Sequence, residues 1–189
     1  LPVACTAGSY ALAGAITCTQ CAAGYSCAST TSSVATACTA GKYSLAGAST
    51  CTSCPAGMAC LTAIGYNPTL CTAGTYSIGG QSSCTNCPAG SSCPTTSASP
   101  ITCAAGYYSI AGQTNCTSCP AGYTCSNPAV NPVACSAGYY SLGTTNICTA
   151  CQAGYYCPNS ATTTPTPAAS ICPTGSYCPA QSTAPTPCP

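Results

Sequence analysis

Large apolar side chains are sparse in this chain and fall at fixed places. Tyr10 and Leu12, Tyr43 and Leu45, Tyr76 and Ile78, Tyr108 and Ile110, and Tyr140 and Leu142 form five Tyr-x-Leu/Ile pairs, set among tracts of Ala, Ser, Thr and Gly. A spacing of two puts both side chains of a pair on one face of an extended segment, which predicts a short strand carrying the one small apolar ridge of each copy. Glycines follow at Gly14, Gly47, Gly80 and Gly112, with Gly143 displaced by one, and predict a turn that carries the chain back. No stretch shows a helical period, and no apolar run approaches the roughly 18 residues of a membrane-spanning helix.

Cysteine frames this pattern. Cys5, Cys18, Cys21 and Cys27 recur as Cys38, Cys51, Cys54 and Cys60, as Cys71, Cys84, Cys87 and Cys93, as Cys103, Cys116, Cys119 and Cys125, and as Cys135, Cys148, Cys151 and Cys157. The unit C-x12-C-x2-C-x5-C therefore repeats every 32 or 33 residues, and a shortened copy keeps only Cys172 and Cys178 before a last Cys188. The predicted repeats are 1–37, 38–70, 71–102, 103–134, 135–171 with a Thr/Pro-rich linker, and a truncated 172–189. The first half, C-x-A-G-x-Y, reads as a β-hairpin closed by a disulfide. The second half, C-x-A-G-x-x-C, reads as a tight loop around Gly24, Gly57, Gly90, Gly122, Gly154 and Gly175, where glycine permits a positive φ. Tyr25, Tyr123 and Tyr155 accompany some of these loops, and the tyrosines as a set are expected to pack on disulfides and neighbouring units. The connections at residues 29–33, 94–100, 127–132, 159–170 and 181–187 are rich in Pro, Ser or Thr, as in extended, O-glycosylated stalks.

Four cysteines allow three pairings, and the truncated unit favours one of them. Because it retains the third and fourth positions alone, first-with-second and third-with-fourth is expected throughout. The pairs are Cys5 with Cys18, Cys21 with Cys27, Cys38 with Cys51, Cys54 with Cys60, Cys71 with Cys84, Cys87 with Cys93, Cys103 with Cys116, Cys119 with Cys125, Cys135 with Cys148, Cys151 with Cys157 and Cys172 with Cys178. Cys188 is left over, either unpaired here or bonded beyond this segment or to a second chain. Each unit has too few large side chains to order itself by burial, so disulfides and stacking of neighbours must supply the rest. The expected fold is a small disulfide-rich repeat array of irregular β-hairpin modules, stacked into an elongated rod with little or no helix.

Charge then narrows the chemistry. Of 189 residues 23 are cysteine, Lys42 is the one basic residue, and Asp, Glu, His, Trp and Phe are absent. General acid–base catalysis lacks its usual groups, so no enzyme and no cofactor is expected. A chain with net charge +1 offers no basic stripe for nucleic acid, and without carboxylates it offers no calcium or magnesium site. Successive C-x-x-C pairs stand about thirty residues apart, wider than the roughly 15–20 of a four-thiolate zinc ribbon, and a thioredoxin-like reading lacks its βαβ setting. Cysteine at this density reads instead as a disulfide framework, which places the protein in an oxidising, extracellular setting. The opening Leu1-Pro2, without Met or an apolar leader core, is expected of a processed or truncated segment.

The motif C-x-A-G-x-Y-[SA]-[LI] followed by C-x2-C-P-A-G-x-x-C resembles the ephrin-receptor-like cysteine-rich repeats, which are similar in style to the modules of TNF receptors. Such arrays occur in fibre, coat and surface-antigen proteins of protists. The resemblance runs from Cys5 to Cys178 and implies a β-rich rod held by disulfides, with no active site. The function expected is structural: an extracellular subunit of a self-assembling, glycosylated fibre or cell-surface coat. A membrane-anchored surface antigen or adhesin is the alternative, and a receptor-like ligand-binding ectodomain the third. A mean hydropathy of +0.28 with almost no charge leaves solubility to self-association or to sugar. Thr162, Thr163, Thr164 and Thr166 are the foremost O-glycan candidates, with Thr30, Thr31, Thr95, Thr96 and Thr183 beside them. The lone sequon, Asn115-Cys116-Thr117, has a cysteine at its centre that the pairing above places in a bridge.

Overall fold

A computed structural model describes residues 4–28, 34–61, 67–158 and 171–189. Among them there is no helix, and regular structure consists of two-residue strands paired as antiparallel two-stranded sheets. In chain order β1 (Ser9–Tyr10) pairs with β2 (Thr19–Gln20), β3 (Tyr25–Ser26) with β4 (Thr36–Ala37), β5 (Lys42–Tyr43) with β6 (Thr52–Ser53), β7 (Met58–Ala59) with β8 (Thr69–Leu70), and β9 (Thr75–Tyr76) with β10 (Thr85–Asn86). Then follow β11 (Ser91–Ser92) with β12 (Ile101–Thr102), β13 (Tyr107–Tyr108) with β14 (Thr117–Ser118), β15 (Tyr123–Thr124) with β16 (Val133–Ala134), β17 (Tyr139–Tyr140) with β18 (Thr149–Ala150), and β19 (Ser176–Tyr177) with β20 (Thr186–Pro187). A single bridge, Tyr155 to Ile171, takes the place of a hairpin between β18 and β19.

The second half of each repeat is more than the expected loop. Its glycines do take a positive φ, as at Gly24 (84°), but the loop leads into a strand of its own, and hairpins begin at Ser9, Tyr25, Lys42, Met58 and Thr75 at steps of 16 or 17 residues. The structural period is thus half the cysteine period. Both halves open with C-x-A-G, and each makes the same turn: Ser9 donates its amide to the Thr6 carbonyl at 3.0 Å around Gly8, and Tyr25 donates to Ala22 at 3.1 Å around Gly24. Glycine at the third place of such a turn is the type II signature, since that residue needs φ above zero.

The chain gathers into two compact units, one of Leu1–Asn86 with Cys93–Ser99, the other of Cys87–Ser92 with Pro100–Pro189. Within each, successive hairpins are joined by the same backbone hydrogen bond from the turn glycine's amide, while a second bond, to its carbonyl, closes the base of the earlier hairpin. In the first unit the Gly8 amide donates to the Cys27 carbonyl (3.0 Å) while the Gly8 carbonyl accepts from Cys21 (2.9 Å), and Gly24 does the same with Ser44 (3.0 Å) and Cys38 (2.9 Å). In the second unit Gly122 donates to Ser141 (2.9 Å) and accepts from Cys135 (2.9 Å). A second tie binds the tips at Gly47, Gly80, Gly112 and Thr144 to earlier modules. The Gly47 amide meets the Cys21 carbonyl at 2.8 Å, and the Gly47 carbonyl lies so close over Gly8 that a Cβ there would overlap it. Thr144 sits likewise over Cys119 and Gly106 in the second unit.

Buried side chains are mostly sulfur. The cysteine that opens each half-repeat is buried from Cys5 to Cys151, and the larger aliphatics stay outside. This corrects the apolar ridge expected of Tyr-x-Leu/Ile. Leu12, Leu45, Ile78, Ile110 and Leu142 are 63, 63, 61, 48 and 69 % exposed, whereas their tyrosines are half-buried or, at Tyr140, buried. The reason is that the strand ends at the tyrosine. Leu12 and Leu45 belong to the tip turn, in which Ala15 and Ala48 donate to their carbonyls; the Leu45 tip docks by backbone, through the Gly47 amide, and both side chains stay in solvent.

Candidate functional site

Disulfide bridges carry this architecture. Cys5 is bonded to Cys18, Cys38 to Cys51, Cys71 to Cys84, Cys103 to Cys116 and Cys135 to Cys148, each thirteen residues apart in sequence. Cys21 is bonded to Cys27, Cys54 to Cys60, Cys119 to Cys125, Cys151 to Cys157 and Cys172 to Cys178, each six apart. Cys87 and Cys93 are likewise disulfide-bonded. Cα separations run from 5.6 to 6.2 Å, ordinary for the bond. The two sulfurs of each described C-x-x-C step, such as Cys18 and Cys21, belong to different bridges and do not form one dithiol. Cys188 is a free, exposed thiol whose amide donates to the Gly175 carbonyl at 2.9 Å, as the cysteines that open other half-repeats do to the glycine before them. Among the described residues no group of three His, Cys, Asp or Glu side chains is placed to hold a metal ion.

A role for serine went unread in the sequence. Counted from the opening cysteine, the sixth residue onward is Cys27, Cys60, Cys93, Cys125 or Cys157 in one half of a repeat, and in the other Ser44, Ser77, Ser109 or Ser141, with Ala11 in the first repeat. All four serines are buried. Ser44 donates its hydroxyl to the Tyr25 carbonyl, Ser109 to Ser91 and Ser141 to Tyr123, each at 2.7 Å, and these bonds tie one hairpin to the one before. Ser109 Oγ lies 3.6 Å from Cys103 Sγ, so serine occupies the place that a bridging cysteine takes in the alternate module. The signal was present, since Ser follows Tyr in Tyr43-Ser44, Tyr76-Ser77, Tyr108-Ser109 and Tyr140-Ser141.

The tyrosines take the packing role in part, for Tyr140 clusters with Cys151 and Cys157 and Tyr155 lies against them. Of the glycan candidates, Thr95 and Thr183 are exposed, and Thr96 is half-buried with its carbonyl accepting from the Ser77 amide at 2.9 Å. Thr30, Thr31, Thr162, Thr163, Thr164 and Thr166 lie outside the described residues. No helix among the described residues is long and apolar enough to cross a membrane. What the structure brings together is therefore a scaffold: a cysteine-rich repeat array whose outward features, aliphatic tips and uncharged hydroxyl-bearing strands, recur from module to module. No protein-family model matches the chain, and no curated protein matches it significantly.

Proposed function

We propose that this chain is an extracellular structural protein, a subunit of a self-assembling fibre or cell-surface coat built from repeats of the ephrin-receptor-like kind. The observation that carries the reading is the outward Leu or Ile at the tip of the first hairpin in all five full repeats, on a chain with a single charged side chain. Scattered exposed aliphatics are ordinary on a protein surface. Here the same one recurs at the same turn of each module, so a contact that one module makes with a neighbouring chain is available to the next, and weak contacts multiply. A head-to-tail or staggered contact of this kind does not close on itself and propagates into a filament. The disulfide framework supports the extracellular setting, and O-linked sugar on the Ser/Thr/Pro tracts supplies the hydrated layer that charge would otherwise give.

Sedimentation of the native material, without reduction or deglycosylation, combined with electron microscopy tests the reading. Long polymers with helical or translational symmetry are expected. A compact monomer would overturn the fibre and favour the membrane-anchored surface antigen.

A further inference from the structure

The five Cys-Thr-x-Cys steps carry threonine at Thr19, Thr52, Thr85, Thr117 and Thr149, while the next residue varies as Gln, Ser, Asn, Ser and Ala. Each of these threonines is exposed and starts the second strand of its hairpin, directly opposite Tyr10, Tyr43, Tyr76, Tyr108 or Tyr140. Packing does not explain them, because they are not packed. Hydrogen bonding does not either: the hydroxyls of Thr75 and Thr145 are bonded to backbone carbonyls, but those of the five make no bond among the described residues. Strand propensity is the remaining structural reason, and the molecule contains its own control. The equivalent strand position of the alternate hairpins holds Thr36 and Thr69 but also Ile101 and Val133. A β-branched hydrocarbon therefore serves the fold there equally well. The constant feature of the five is the hydroxyl group itself.

We propose that these five threonines are O-glycosylation sites borne by the folded modules, distinct from the Ser/Thr/Pro tracts. Each lies on an extended segment in a sheet of only two strands, so one strand edge is open and the hydroxyl is reachable by a transferase that binds extended chain. The transfer joins Thr Oγ1 to the anomeric carbon of a sugar activated as a nucleoside diphosphate. The anomeric carbon–phosphate oxygen bond breaks, the nucleoside diphosphate leaves, and the hydroxyl proton passes to a base of the transferase, with no change of oxidation state. A neutral sugar suits this surface better than phosphate, because five phosphates would face one lysine in the whole chain. The inference rests on the extracellular reading above, since sugar transfer of this kind accompanies the route on which disulfides form.

Site-resolved glycopeptide mass spectrometry of the native protein, with electron-based fragmentation and free-thiol counting on the same sample, is the test. Sugar on the five threonines with the bridges intact is expected. Intact bridges with the five threonines bare, phosphorylated, or passed over in favour of tract residues such as Thr95 would overturn this inference alone; reduced cysteines throughout would overturn the extracellular reading as well. Replacing all five by Val, which Val133 shows the position accepts, should remove five attachments per chain while the disulfides still form. Module-borne sugar unchanged in that variant would equally overturn the assignment.

Discussion

Thr144 holds its amide 2.8 Å from the Cys119 carbonyl, in the place where Gly47 stands over Cys21 and Gly80 over Cys54. It does so at φ 52°, in the left-handed region, whereas Gly47 and Gly80 take 78° and 67° at no steric cost. A β-branched residue there is strained, and the sequence shows why it came about: Gly143 lies one position early. Left-handed geometry costs an L-residue roughly 1–2 kcal/mol, offset in part by the greater unfolded-state entropy of glycine. Thr144→Gly is therefore expected to stabilise the oxidised protein by about 1 kcal/mol. Denaturant unfolding that shows no rise in midpoint at unchanged slope would contradict this.

A paired comparison separates conformational strain from close approach. Gly14 and Gly41 have nearly the same φ, 84° and 83°, but a Cβ on Gly14 would meet nothing within 4 Å whereas one on Gly41 would overlap the Gly80 carbonyl. Gly14→Ala should cost only the backbone term, about 1 kcal/mol. Gly41→Ala should cost at least about 2 kcal/mol, because the docked tip over it must move. Equal losses in the two variants would mean that the tip contact contributes little.

Assembly should respond to apolar and covalent changes and not to salt. With Lys42 as the single charged side chain there is almost nothing to screen, so raising ionic strength is expected to leave the polymer intact, while reduction dismantles it. Leu45→Thr with Ile78→Thr should alter monomer stability by no more than about 0.5 kcal/mol per site, since both side chains are solvent-exposed. The same pair should raise the concentration needed for polymer by about tenfold or more, a loss of roughly 1.4 kcal/mol of association. Light scattering against concentration reads the shift, and an unchanged threshold would remove the aliphatic tips from the interface.

How much of this was legible depended on which residues carried the signal. The hairpins around Tyr10 and Tyr43 followed from glycine and Tyr-x-Leu spacing, because turn chemistry is local. The equivalence of the two half-repeats was missed although Cys5-Thr6-Ala7-Gly8 and Cys21-Ala22-Ala23-Gly24 announce it, because the strand that closes the second hairpin, β4, lies beyond residues 29–33 and reads as linker. The two-residue spacing of Tyr43 and Leu45 predicts one apolar ridge on a strand, because alternation reports a shared face but not where the strand ends. The fold instead buries sulfur and the small Ser44 and leaves the aliphatic on a turn, an arrangement fixed by contacts between modules that no local pattern reports.

Whether the sixth residue after the opening cysteine is Cys, or Ser (Ala11 in the first repeat), should determine which bridge a module forms. Where that residue is Cys27 the opening Cys21 bonds to it; where it is Ser109 the opening Cys103 reaches thirteen residues on, to Cys116. Yet Ser109 Oγ is 3.6 Å from Cys103 Sγ, and the turn around Gly106, with Tyr107 donating to the Ala104 carbonyl at 3.0 Å, matches the turn around Gly24. The double variant Ser109→Cys, Cys116→Ser is therefore expected to form a bridge between residues 103 and 109 and to keep the module folded. It exchanges a longer closed loop for a shorter one, and on the chain-entropy account a shorter loop restrains the unfolded chain less. The buried hydrogen bond to the Ser91 carbonyl is lost as well, at about 1 kcal/mol. A net loss of about 1–2 kcal/mol with no free thiol beyond Cys188 is the predicted outcome, read by thiol titration in denaturant and by non-reduced peptide mapping. Two additional free thiols in the oxidised variant would show that the hairpin geometry of the two half-repeats is not interchangeable at the sulfur, and that the thirteen-residue bridge is imposed by more than the missing partner.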